Sequence, residues 1–192
     1  APPACGKSRA MMFVALDKLE NQGIKKVIVA VPEKTIGRSF DNTNLKDFGF
    51  FADWRVADYF NLCGGNETEK KKRFFEFIDK GCKNKILVCT HSTLRNAVKE
   101  LSDEQLNDCL FGIDEYHHSS ADANNGLGEL IRRLIASTNA HILAMTGSYF
   151  RGDKIPVMRP EDEAMFQPAV NYNYYQQLNG YKYLKSLGIE EI

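Results

Sequence analysis

Several things are scarce in this chain of 192 residues, and each scarcity closes off a class of protein. The five cysteines form no C-x-x-C pair and are odd in number, which fits neither a disulfide framework nor a zinc site and points to a reducing, cytoplasmic setting. Apolar runs are short. None approaches the roughly 20 residues that span a bilayer, and no basic-then-apolar leader opens the chain, so no membrane is expected as a partner. Net charge is also missing: 25 basic residues balance 25 acidic ones, so any surface for a polyanion has to be local. No internal repeat and no low-complexity linker appears. What remains has 43% hydrophobic, 26% charged and 11% aromatic residues, the proportions of a globular protein with room for one domain.

Hydrophobic periodicity sorts the chain into alternating helices and strands. From Lys7 to Asn21, Met11, Val14, Ala15 and Leu19 recur at helical spacing, and Gly23 follows as a stop. Lys26 to Val31 is a nearly continuous apolar run closed by Pro32, the pattern of a strand buried on both faces. Ile86 to Cys89 repeats it, ends at Thr90 and gives way to a helix carrying Leu94, Val98 and Leu101. Cys109 to Ile113 ends at Asp114. His141 to Met145 ends at Thr146, after a helix with Leu127, Leu130, Ile131, Leu134 and Ile135 as its stripe. Trp54 to Tyr59 reads as a further strand and Glu67 to Lys80 as a further helix. Beyond Pro168, Val170 to Tyr175 reads as a last strand and Gln176 to Leu187 as a last helix. The alternation predicts an α/β, three-layer domain on a mostly parallel central sheet, with ligands at the carboxyl ends of the strands.

The polar residues fall at those ends. Ala1 to Ser8 reads Ala-Pro-Pro-Ala-Cys-Gly-Lys-Ser, a phosphate-binding loop with Ala in place of its first Gly, followed at once by a helix. The stretch Pro3, Ala4, Cys5, Gly6, Lys7, Ser8 and Arg9 would surround the phosphates of ATP, with backbone N–H groups donated from Ala4 onward by the loop and the helix N-terminus. Gly6 permits close approach, Lys7 reaches the β- and γ-phosphates and Ser8 holds Mg²⁺. Against this stands a chance Gly-Lys-Ser on a surface turn.

Gly112-Ile113-Asp114-Glu115-Tyr116-His117-His118 closes a buried strand with adjacent carboxylates, which suits a Walker B element. Asp114 would hold Mg²⁺ and Glu115 would activate the attacking water, with Lys7 completing the catalytic set. A lone strand-end Asp-Glu is more often a solvated pair. The two adjacent histidines also raise a zinc site, the weaker reading because no suitably spaced third ligand is evident.

Together these segments resemble the superfamily 2 helicases, within them the DEAD/DEAH-box-like group related to restriction-enzyme motor subunits. Ala1 to Ser8 is similar to motif I, Val31 to Arg38 to motif Ia, Thr90-His91-Ser92-Thr93-Leu94 to motif Ib, Asp114 to His117 to motif II, and Thr146-Gly147-Ser148 with Arg151-Gly152-Asp153 to motif III. The elements occur in the family's order, each at the end of a strand expected from the pattern. The resemblance implies a RecA-like P-loop NTPase domain over residues 1–192, truncated before the strand that enters motif I and lacking the second motor domain, which supplies an arginine finger. It implies contacts to a nucleic-acid strand from Pro32, Lys34, Thr35, Arg38, Thr90 and Ser92. It also implies that His117, Thr146 and Ser148 couple the strand site to hydrolysis.

Taken singly, Thr90 and Ser92 read as helix caps, and Lys34 and Arg38 as solvated charges. Lys70-Lys71-Lys72-Arg73 reads as the wet side of a helix rather than a nucleic-acid patch. The expectation is therefore an ATP- and Mg²⁺-dependent helicase or translocase, with DNA favoured over RNA and the second RecA-like domain of the same parent chain as its partner. A P-loop NTPase of another class and a binding platform without catalysis are the alternatives.

Overall fold

A computed structural model describes residues 6–32, 36–116, 126–146, 164 and 166. The expected helix α1 runs Lys7–Asn21 and leads into strand β1, Lys26–Val31. Short 3-10 turns at Ile36–Phe40, Leu45–Phe48 and Asp58–Phe60 precede a two-residue strand β2, Asn61–Leu62. Helix α2 (Glu67–Ile78), strand β3 (Ile86–Thr90), helix α3 (His91–Val98) and the single turn α4 (Asp103–Leu106) follow. Strand β4 (Cys109–Ile113), helix α5 (Gly126–Ser137) and strand β5 (His141–Ala144) complete the described order. The strands form one sheet in the order β2-β3-β1-β4-β5, and every ladder in it is parallel. Its carboxyl ends therefore share one edge.

Alternation along the strands builds two cores. Val27, Val29, Val31, Val88 and Leu110 face α1 and the irregular segment from Phe40 to Val56, joining Met11, Met12, Ala15 and Trp54. Ile28, Ala30, Cys89, Phe111 and Ile113 face the other way, against Phe74 and Phe77 of α2, Leu94 and Val98 of α3, and Leu130 and Leu134 of α5. Strands covered on both faces have no room for polar residues, which is why they read as apolar runs. Gly112 serves packing: a Cβ built there would lie 2.6 Å from the Met11 sulfur, so its absence lets α1 lie close over β4.

Two expectations are corrected. Trp54 to Tyr59 is not a strand. Trp54 makes only an isolated antiparallel bridge to Thr43, its indole N–H donates to the Phe40 carbonyl at 2.8 Å, and the Val56 N–H goes to the Asn42 side chain. An anchored indole and a side-chain partner replace a ladder, and Asn61–Leu62 takes the sheet edge instead. Helix α3 also stops short of Leu101: it ends at Val98, and the Arg133 guanidinium of α5 accepts the task of satisfying the Val98 and Leu101 carbonyls, donating at 3.0 and 2.7 Å. The expected elements beyond Pro168 lie outside the described residues.

Candidate nucleotide site and its neighbours

Because α1 runs back toward the start of β1, its N-terminus meets the carboxyl edge of the sheet. Gly6 stands at the N-cap with φ 85°, a left-handed conformation that glycine adopts without strain. Among the described residues no side chain caps α1, and no acidic residue sits in its first turn, so the helix start offers backbone N–H groups and the positive end of its dipole. Lys7, from this turn, brings its Nζ to 3.3 Å from Glu115 Oε1, and both side chains are mostly covered.

The carboxyl edge of β4 carries the acidic pair. Asp114 is only 4% exposed, and burial first, then the neighbouring Glu115 charge, push its carboxyl above the ordinary aspartate value, while the Glu115 backbone N–H and Lys7 pull it back. Glu115 has φ 46°, an unusual backbone state for a residue with a side chain. The turn is pinned from several sides. The Asp114 N–H donates to the Ala30 carbonyl of β1 at 2.9 Å, and the Glu115 N–H to Asp114 Oδ1 at 3.0 Å. The Tyr116 N–H donates to the Met145 carbonyl, and the Met145 N–H to the Ile113 carbonyl. Thr146, next to Met145, thus follows a backbone already stitched to the acidic turn.

A buried carboxylate made hard to ionise by desolvation, beside a second carboxylate, is an environment that a hard cation would relieve. Ser8 and Asp114 offer oxygen donors, the chemistry Mg²⁺ requires, and Mg²⁺ ordinarily takes only one or two protein ligands beside phosphates and water. The residues fit the group. No cluster of three or more metal-ligating side chains occurs among the described residues.

The other motif residues divide. Pro32 follows β1 directly and is half-buried, while Arg38 is exposed on the 3-10 turn after it. Thr90 is buried at the N-cap of α3, where its hydroxyl accepts the Thr93 N–H at 3.2 Å, and Ser92 is exposed one residue past the start of that helix. Pro3, Ala4, Cys5, Lys34, Thr35, His117 and Ser148 lie outside the described residues, as does the second histidine of the zinc reading. The basic run is neutralised: Lys70, Lys71, Lys72 and Arg73 pair with Glu67, Glu100, Glu76 and Glu69, and Lys70 is buried. It offers no concentrated positive patch. Cys63, Cys82, Cys89 and Cys109 are free thiols, and among the described residues no helix is long and apolar enough to cross a membrane.

Sequence reasoning passed over one residue of this neighbourhood. His91, the first residue of α3, sends Nε2 to 3.0 Å from the Asp114 carbonyl oxygen. Its position just after a strand-end threonine was the available signal.

The parallel sheet, the uncapped helix start with Lys7 and the carboxylates at the adjoining strand end together define a class, the first RecA-like, ATP-binding domain of superfamily 2 helicases. Residues 2–151 match the family described as Type III restriction enzyme, res subunit, and the chain belongs to that family. A relative from Bacillus subtilis (strain 168), named "Putative ATP-dependent helicase YeeB", is 56% identical over 189 residues, covering 98% of this chain and 31% of its own length. The chain therefore spans about a third of the curated relative it matches. Among solved structures, the Pyrococcus furiosus Hef helicase domain has the same fold, with a TM-score of 0.54 at 19% identity over 81% of this chain and 31% of that one.

Proposed function

We propose that residues 1–192 form the nucleotide-binding half of a motor that couples ATP hydrolysis to movement on nucleic acid, DNA in preference to RNA. The observation that carries it is the meeting of Lys7 and Glu115 at 3.3 Å, beside the buried Asp114, at the carboxyl edge of one parallel sheet. Two motifs far apart in the chain converge where an α/β sheet binds its ligand. The name of the Bacillus relative and the family match support the use of ATP.

In this reading Gly6, Lys7, Ser8 and Arg9 surround the phosphates with backbone N–H groups, and Lys7 adds a positive charge. Ser8 and Asp114 would hold Mg²⁺, which supplies charge neutralisation on the phosphates when bound. Glu115 orients water and takes its proton. The Lys7 ammonium pairs with Glu115 at 3.3 Å. Arrival of a phosphate gives Lys7 a stronger partner and releases the carboxylate to act as a base. Pro32, Lys34, Thr35, Arg38 and Ser92 are the proposed strand contacts, with Thr146, Ser148 and His117 as coupling groups. The preference for DNA rests on the family's restriction-enzyme relatives.

The test is ATPase activity of the full-length parent with single-stranded DNA, duplex DNA and RNA in parallel. DNA should stimulate turnover most. Glu115→Gln should lower kcat by on the order of 10² or more while ATP still binds, and Lys7→Ala should weaken binding itself. Turnover that neither substitution reduces would remove the hydrolysis assignment, and stimulation by RNA alone would reverse the choice of strand.

A further inference from the structure

The peptide that joins Asp114 to Glu115 sets the direction of both carboxylates, and both of its polar groups are occupied. Its N–H donates to Asp114 Oδ1 at 3.0 Å. Its carbonyl oxygen receives His91 Nε2 at 3.0 Å, and since a carbonyl can only accept, Nε2 carries the hydrogen. The same peptide enters a residue at φ 46°. A residue with a Cβ holds that conformation only where its surroundings over-determine it, and the His91 bond is one of the constraints that do so.

His91 is not placed there by a flexible loop. It is the first residue of α3, and the preceding Thr90, buried, fixes the helix start by accepting the Thr93 N–H and lying 3.0 Å from the Thr93 hydroxyl. Ser92, on its other side, is exposed at the same helix start. One rigid turn therefore carries an outward-facing hydroxyl and an inward-reaching imidazole whose ring nitrogen ends on the acidic turn.

We propose that His91 is a positioning residue for hydrolysis, transmitting strand occupancy at the start of α3 to Asp114 and Glu115 through the Asp114 carbonyl. In this role it acts through that peptide rather than on nucleotide or reacting water directly. A phosphate drawn to Ser92 shifts or stiffens the first turn of α3, and the imidazole passes that change to the peptide from which both carboxylates hang. The route is a single side chain long. It differs from the proposed coupling through Thr146, which follows the Met145 backbone bonded to Ile113 and Tyr116. This inference rests on the motor reading above and adds to it a residue that reading does not use.

The experiment uses the full-length parent and compares wild type with His91→Ala, His91→Gln and His91→Met. Each protein is measured for ATP KM, for the DNA concentration giving half-maximal stimulation, and for kcat at saturating DNA, with a melting curve as control. Loss of one hydrogen bond to the acidic turn should lower DNA-stimulated kcat about three- to tenfold. ATP KM and the half-maximal DNA concentration should stay within about twofold, because no ligand contact is lost. His91→Gln, which retains an N–H donor on a long side chain, should recover most of kcat, whereas His91→Met, of similar reach without a donor, should not. If the Ala variant melts near assay temperature, the Gln and Met pair alone decides. Wild-type kcat in the Met variant, or equal losses in Gln and Met, would overturn the role of His91 and leave the motor reading standing. A wild-type parent whose ATPase no nucleic acid stimulates would remove that reading, and this inference with it.

Discussion

Asp114 lies where water is scarce, next to a second carboxylate, and the folded chain stands against its ionisation. Its folded-state pKa is raised above the ordinary 3.8, so the folded protein binds this proton more tightly than the unfolded chain does. Relative stability from this group is greatest below that ordinary value. It falls as pH rises through the raised value, and the cost persists at neutral pH. Asp114→Asn removes the titration and keeps an oxygen able to accept the Glu115 N–H. We expect Asp114→Asn to raise the melting temperature of the nucleotide-free protein at pH 7 and to lose that advantage at the acid end, while ATP hydrolysis collapses. Melting curves against pH check this, and an Asn variant less stable than wild type at neutral pH would contradict it. Such a residue costs stability when ionised, a cost that the proposed Mg²⁺ would offset.

At the scale of the element, the start of α3 separates the structural use of one hydroxyl from the proposed binding use of its neighbour. The Thr90 hydroxyl is taken up by the cap, and Ser92 faces outward. Thr90→Ala should therefore cost about 1 kcal/mol of stability. In a domain of this length that is roughly 2 to 4 °C of melting temperature. Ser92→Ala should leave melting within about half a kcal/mol of wild type, as surface changes do, and weaken strand binding instead. Thermal melts paired with DNA-binding titrations of the full-length parent separate the two. A Thr90→Ala variant with unchanged melting and lost binding would show that the cap is secondary to strand contact. The expected strand over Trp54 to Tyr59 is instructive here too: its alternation of Trp54 and Val56 was real, but both side chains found burial against the α1 face without any neighbouring strand to pair with.

For the whole molecule, the chain's 31% share of its Bacillus relative places most of that longer protein outside these residues. We propose that an opposing motor domain of the parent supplies an arginine to the γ-phosphate. Such a finger is worth on the order of 10³ to 10⁵ in rate. Residues 1–192 by themselves should thus bind ATP weakly and hydrolyse it very slowly, with little response to DNA, while the full-length parent responds strongly. Steady-state ATPase assays of both, with and without single-stranded DNA, read this directly. Robust DNA-stimulated turnover by residues 1–192 would mean that the site needs no opposing domain.

The sequence by itself determined helices α1, α2 and α5, strands β1, β3, β4 and β5, and their order, but not the edge strand β2. Runs such as Val27 to Val31 and Leu110 to Ile113, and the helical stripe of Leu127, Leu130, Ile131 and Leu134, encode local conformation and burial through spacing alone. It also determined which residues were eligible for chemistry, because Gly6-Lys7-Ser8 and Asp114-Glu115 stand at the ends of those elements. Only the tertiary structure decided that Lys7 faces Glu115, that Arg133 closes the end of α3, that Lys71 of α2 pairs with Glu100, and that His91 reaches the Asp114 carbonyl. Spacing along a chain reports interactions between near neighbours. These contacts join residues distant in sequence, and they depend on strand register and on how closely helices lie over the sheet, including the room that Gly112 leaves for Met11.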